Sequence, residues 1–180
     1  MKGIVFKKFL GLMEEEFGEE ICETVIFESD AQTKGAYSSV GTYDHNELIE
    51  LVSRLSKKVN TPVPDLVRTF GKYLIPAFYK LYPSFFEGNT LFDFLMSIDG
   101  TIHTEVLKLN PDAELPSIKC HYLNEDTLIV QYISKRPFGD LAEGLLLGAI
   151  DHFKENVELT QDENSKSNSN NKVFYIERLK

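Results

Sequence analysis

The chain has no tryptophan, two cysteines, and no apolar run long enough to cross a membrane. Each shortage closes off a class of protein. Cys22 and Cys120 form no CxxC pair, and two distant thiols in a reducing compartment give neither a disulfide framework nor a structural zinc site. Cys22, beside Ile21 and Val25, reads as a small buried hydrophobe. Positive charge is scarce as well: 19 Lys and Arg face 28 Asp and Glu, a formal net charge of −9. A nucleic-acid surface needs clustered cations against phosphate, so nucleic acid is excluded as a partner. The opening Met1-Lys2-Gly3-Ile4-Val5-Phe6-Lys7-Lys8 starts as a short secretory leader would, but charge resumes too soon for a leader or a membrane span. The expectation is a cytoplasmic, monomeric protein with no membrane insertion.

What is present is a large apolar inventory. At 180 residues the chain is one domain by length, and 13 Phe with 8 Tyr give it a Phe-rich interior. The first 60 residues read as helical. Val5, Phe6, Phe9, Leu12, Met13 and Phe17 recur at three and four, and a short helix over 19–28 follows. Glu14, Glu15, Glu16, Glu19 and Glu20 read as a solvated face. Residues 29–43, rich in Gly, Ser and Thr, are expected to be loop. Asp44 is placed as an N-cap, with Glu47 three residues on, for a helix to about residue 58. Thr61-Pro62-Val63-Pro64-Asp65 starts a longer helix that Pro76 should kink and Pro83 should end. Residues 91–109 are helical too, with a break expected at Asp99-Gly100. After Pro111 the pattern becomes strand: a hairpin of 118–123 with 127–134, a helix over 138–153, then strands at 157–160 and 173–179. The polar run 163–172 is expected to be a loop with nothing to bury. The order is α+β: a helical lobe over 1–60, then a lobe over 61–180 that carries a four-stranded antiparallel sheet.

Tyr132-Ile133-Ser134-Lys135-Arg136 is the segment richest in chemistry. If the strand runs that far, its period of two puts a phenol, a hydroxyl and a guanidinium on one face. All three are donors, and a guanidinium fork fits carboxylate or phosphate, so the face suits an acidic ligand. Of the four histidines, His45 opens a helix, His121 lies in a strand and His152 nears a helix C-terminus. His103 stands apart because it flanks the apolar stripe of its helix. Singly, His103 reads as a boundary histidine, Arg136 as a surface ion-pair partner, and Phe9, Phe78 and Phe94 as core. Together, an axial imidazole, donors for two carboxylates and many apolar side chains describe what a haem requires.

The chain resembles the haem-nitric oxide/oxygen binding (H-NOX) domains, which include bacterial gas sensors and the haem domain of soluble guanylate cyclase. The resemblance spans nearly the whole length. It rests on Met1-Lys2-Gly3, Phe70-Gly71, Pro83-Ser84-Phe85-Phe86, His103, Leu115-Pro116, the Tyr-x-Ser-x-Arg motif and the helix with Gly144 and Gly148. It implies haem b buried between the two lobes, with His103 as proximal iron ligand. Tyr132, Ser134 and Arg136 would hold the propionates, and Pro116 would press on the macrocycle. Val5, Phe9, Leu74, Phe78, Leu141 and Leu145 would line the distal side, with Phe94 a further cofactor contact. Oxygen-holding members carry a tyrosine where this chain has Leu141, and some carry a Trp where it has Phe9. Without a donor, NO and CO are expected as ligands and stable oxygen binding is not. Some relatives hold zinc through cysteines near the C-terminus, where this chain has its Asn/Ser loop and no cysteine.

The resemblance implies a sensor, not an enzyme, in which NO releases His103 and lets the lobes shift. The chain stops at Lys180 with no kinase, cyclase or methyl-accepting segment, so output is expected through a separate protein. A sensor histidine kinase, or an enzyme that makes or degrades cyclic di-GMP, is the partner class implied. Two other readings remain open from the residues. A haem peroxidase would need distal His and Arg, which the apolar distal set lacks. A haem-free module binding a small ligand or a partner surface would purify without colour.

Overall fold

The structure, a computed structural model, describes Met1–Leu179. The chain forms two compact units, Met1–Phe70 and Gly71 onward, and the division falls inside one helix.

In the first unit α1 (Gly3–Phe17) buries Phe6, Phe9, Leu12 and Met13, the stripe expected from the three-and-four spacing. Gly18, at φ 90°, ends it and turns the chain into α2 (Glu19–Glu28), which buries Cys22 and Val25. Burial pushes the Cys22 thiol up to about 11, so it is an inert apolar group. Helix α3 (His45–Val59) begins at Asp44, whose Oδ1 accepts the Asn46 N–H at 3.0 Å, and ends at Asn60 in the left-handed conformation. Glu47 does not complete a capping box. Its Oε2 instead accepts from the Thr33 and Tyr37 hydroxyls, both at 2.9 Å. That contact pins the 29–43 loop, where Tyr37 stacks on Phe6 with centroids 4.4 Å apart.

Helix α4 (Val63–Leu81) contains Pro76 without ending there, and a 3₁₀ turn at Pro83–Phe85 follows. In the second unit, Thr90 caps α5 (Leu91–Ser97) through a full capping box with Asp93. The break expected at Asp99-Gly100 is absent. A π-helical turn, Ile98–Ile102, carries the helix through into α6 (His103–Leu109). Gly100 is tolerated because one wide turn absorbs the irregularity without stopping the helix.

Strands β1 (Ser117–Asn124), β2 (Thr127–Ile133), β3 (Val157–Gln161) and β4 (Asn171–Arg178) form one antiparallel sheet in the order β1-β2-β4-β3. The hairpin turns at Glu125-Asp126, as the sequence indicates. Leu128, Val130 and Tyr132 on β2 and Phe174 and Ile176 on β4 face the core. There they join Phe92, Phe94 and Leu95 of α5 and Ala142, Leu146 and Ala149 of α7 (Gly139–Phe153). The 163–172 run does bury polar groups. Ser165 is inside, and the Lys172 ammonium, 5% exposed, donates to the Lys166 carbonyl at 2.7 Å and lies 3.8 Å from Asp140. A buried ammonium is tolerated only because these oxygens replace its water.

Candidate functional site

His103 is the first residue of α6, just past the π turn. The turn places Asp99, four residues earlier, beside the ring: Nδ1 stands 3.0 Å from Asp99 Oδ1. Asp99 is itself fixed by β1. Its Oδ1 accepts the Ile118 N–H at 2.8 Å, and its Oδ2 accepts the Ser117 hydroxyl at 3.0 Å. The His103 side chain is 18% exposed, and burial lowers its pKa although Asp99 pulls the other way. Burial thus favours the neutral ring, and a tautomer with its proton on Nδ1, beside Asp99, would leave Nε2 free to ligate, since Nε2 makes no hydrogen bond among the described residues. That is the tautomer a metal-ligating imidazole needs, and a carboxylate behind it is the usual support.

No group of three or more His, Cys, Asp or Glu is disposed to hold a metal among the described residues. A single imidazole binds a metal only when something else supplies the other ligands. A porphyrin does so, and the donor set here fits one.

The acid-binding motif is only partly on a strand. Strand β2 ends at Ile133, so Tyr132 is in the sheet while Ser134 and Arg136 lie beyond it. The period-two argument for a shared face fails there. The Ser134 side chain accepts the Arg136 N–H at 3.0 Å, turning the chain in a local motif that competes with the strand. What gathers the three residues is this turn. The buried Tyr132 hydroxyl donates back to the Arg136 carbonyl at 3.3 Å, and burial raises its pKa, so it stays a donor. The Arg136 guanidinium donates through Nη1 to the Glu114 carbonyl at 3.0 Å and through Nη2 to the Glu114 carboxylate.

Pro116 therefore sits between two anchors. Glu114, two residues before it, is gripped by Arg136, and Ser117 and Ile118 just after it are gripped by Asp99. One run of hydrogen bonds and chain links His103, Asp99, Ser117, Pro116, Glu114 and Arg136. Three residues expected at the site thus belong to one connected framework within the second unit.

The apolar residues divide between the units. Val5 and Phe9 lie on α1 in the first, where the buried Phe9 packs edge-on against Phe70 at 5.2 Å. In the second, Leu74 and Phe78 share a face of α4, and Leu141 and Leu145 a face of α7, each pair four residues apart. Leu74 is buried, while Phe78, Leu141 and Leu145 are only half-buried. Phe94 lies inside the core, stacked on Phe86 at 4.6 Å.

Two residues escaped the sequence reading. Asp99 stood four positions before His103, a spacing that places a carboxylate beside an imidazole on one helix face, but its bonds to β1 carry no sequence signal. Glu114 carried none at all, being 22 residues from Arg136.

An α+β unit with a carboxylate-backed imidazole and a clustered tyrosine, serine and arginine has the donor set that a small cofactor-binding module would need. The comparisons make the class specific. Residues 2–161 match the family described as Haem-NO-binding. A Fe(II) unliganded H-NOX protein from K. algicida is 30% identical with a TM-score of 0.91, covering 100% of this chain and 97% of that one. H-NOX from Shewanella woodyi, solved in the Fe(II)CO state, is 40% identical with a TM-score of 0.85, covering 99% and 95%. An H-NOX protein from S. oneidensis in the Fe(II)NO state is 25% identical with a TM-score of 0.90, covering 100% of both. Among curated proteins none is significantly similar. The chain belongs to the haem-NO-binding, or H-NOX, family. It is accordingly a haem-based gas-sensor module and not an enzyme. No helix among the described residues is long and apolar enough to cross a membrane.

Proposed function

We propose that this protein senses nitric oxide through haem b and passes the signal to a separate signalling protein. The observation that carries the proposal is the largely buried His103 ring, with Asp99 Oδ1 3.0 Å from Nδ1 behind it and Nε2 on its other side. Haem, when bound, would supply an iron able to take NO or CO, and uptake of NO would loosen its attachment to His103. His103 Nε2 would be the attachment point, and Ser134 and Arg136 would offer donors to the propionates, with Tyr132 joining them if its hydroxyl turns from the Arg136 carbonyl. There is no CxxCH sequence, so attachment is non-covalent, which favours haem b.

Asp99 acts on both sides of the event. It keeps the Nδ1 proton in place, so Nε2 stays a strong ligand, and it ties the helix bearing His103 to the start of β1. Were His103 to leave the iron, the π turn would be where the helix adjusts, because its bonding is the least regular. A movement there reaches Ser117 and Pro116 through Asp99. The partner class implied by the family resemblance is a sensor histidine kinase or an enzyme of cyclic di-GMP turnover.

Val5, Phe9, Leu74, Phe78, Leu141 and Leu145 offer no hydrogen-bond donor, which supports NO and CO as ligands over oxygen. One absorption series tests the whole reading. The reduced, haem-loaded protein should change its Soret band with CO and with NO but show no stable new band on admission of air. With NO the band should move to the position of complexes lacking a proximal nitrogen. A band that reports a retained imidazole would overturn release of His103. A colourless protein would leave the haem-free module as the reading.

Replacing Asp99 by Asn removes the charge behind the imidazole. Haem transfer to excess apomyoglobin should then quicken by about tenfold or more, the usual cost of losing such a partner. An unchanged rate would show that Asp99 serves β1 alone.

A further inference from the structure

We infer that Glu114 is a positioning residue for Arg136, fixing the guanidinium at the angle from which it grips a carboxylate of the bound cofactor; this rests on the haem reading above. Two donors of the fork are already committed to Glu114, one to its main-chain oxygen and one to its carboxylate. A guanidinium is planar and rigid, so fixing two of its nitrogens sets where its remaining N–H groups point. The exposures show from which side Glu114 approaches. Arg136 is 15% exposed and Glu114 67%, so Glu114 meets the guanidinium from the solvent side, and the N–H groups that it does not take remain for a second anion. One arginine satisfies two carboxylates in this way because its five N–H groups exceed what either can accept.

Glu114 has a second attachment that makes the arrangement specific. It lies two residues before Pro116, in the segment that Asp99 secures from the other end through Ser117 and Ile118. The carboxylate is thus presented by backbone that is itself held, and not by a free surface loop. Without it, the Nη1 bond to the Glu114 carbonyl remains as the only tie on the Glu114 side, and the fork can pivot about that single bond.

The test compares haem with haem dimethyl ester, whose two carboxylates are masked. Wild-type protein, Glu114→Ala and Glu114→Gln are loaded with each, and loss to excess apomyoglobin is timed. Glu114→Ala should lose haem about fivefold faster than wild type, a modest factor because solvent screens the pair. Its loss of the ester should match wild type. Glu114→Gln, which keeps an acceptor without the charge, should fall between. Equal acceleration for haem and ester would overturn the inference, since it would mean the segment had merely loosened. Haem loss unchanged or slowed in Glu114→Ala would also overturn it, the latter by making Glu114 a competitor of the propionate. Both results leave the haem reading standing. Wild-type protein that takes up no haem would overturn that reading and the inference together.

Discussion

His103→Gly, purified with imidazole present, should carry haem and lose it once the imidazole is dialysed away. Under the proposed haem reading the His103 side chain supplies the protein's bond to the iron, and no group of three or more His, Cys, Asp or Glu is placed to hold a metal among the described residues. Loss of a partner behind a metal ligand costs about 10- to 100-fold in affinity, and removing the ligand itself should exceed that range. The Soret absorbance after dialysis measures it directly. Retention equal to wild type would place the iron ligand elsewhere. The same variant separates attachment from signalling. With free imidazole on the iron, the metal is ligated but no longer joined to α6. If release of His103 is the trigger, the variant should act on the partner as NO-treated wild type does. An output matching the unliganded wild type would mean the signal leaves by another route.

Gly71→Ala should destabilise the protein strongly although it adds one methyl group. A Cβ there would lie 2.6 Å from the Leu141 carbonyl oxygen, 2.6 Å from the Leu145 nitrogen and 2.7 Å from the Gly144 carbonyl carbon. All three are main-chain atoms of α7, so no rotamer change relieves the contact and the two helices must separate. Overpacking of this kind costs about 1–3 kcal/mol, occasionally more. The gain in helix propensity from Gly to Ala, about 1 kcal/mol, offsets part of it. A net loss of about 1 kcal/mol, reaching about 2 where the helices cannot give way, should appear as a lower urea midpoint with unchanged slope. Gly100→Ala is the control, because a Cβ there meets nothing within 4 Å. Equal midpoints for the two variants would refute the close approach of α4 and α7.

The legibility of the fold followed the range of the interactions. Helix and strand positions were readable because apolar spacing is a local property: Phe6, Phe9 and Met13 are inside, as are Leu128, Val130 and Phe174. The errors arose where a local rule met a distant partner. Asp99-Gly100 looks like a helix break, but its carboxylate is bound to Ser117 and Ile118, and the helix continues through a π turn. Glu47 had the spacing of a capping box, and Thr33 and Tyr37 took its carboxylate instead. Ser134 and Arg136 were placed by strand periodicity, yet a serine turn past the end of β2 positions them.

Residue chemistry was written in the chain: an imidazole, a phenol, a hydroxyl and a guanidinium, with leucine at 141 and phenylalanine at 9, where the family resemblance implies a donor in oxygen-holding members. Those identities depend on nothing beyond their own side chains, and so does the apolar spacing that sets the helices and strands. Folding alone decided how far His103 is buried, what holds Pro116 at both ends and which carboxylate meets Arg136. Each of those rests on hydrogen bonds across 18 to 22 residues of intervening chain, or on a burial that exists only when distant segments exclude water together. Such bonds act only within about 3 Å, and separation along a sequence does not report distance in space.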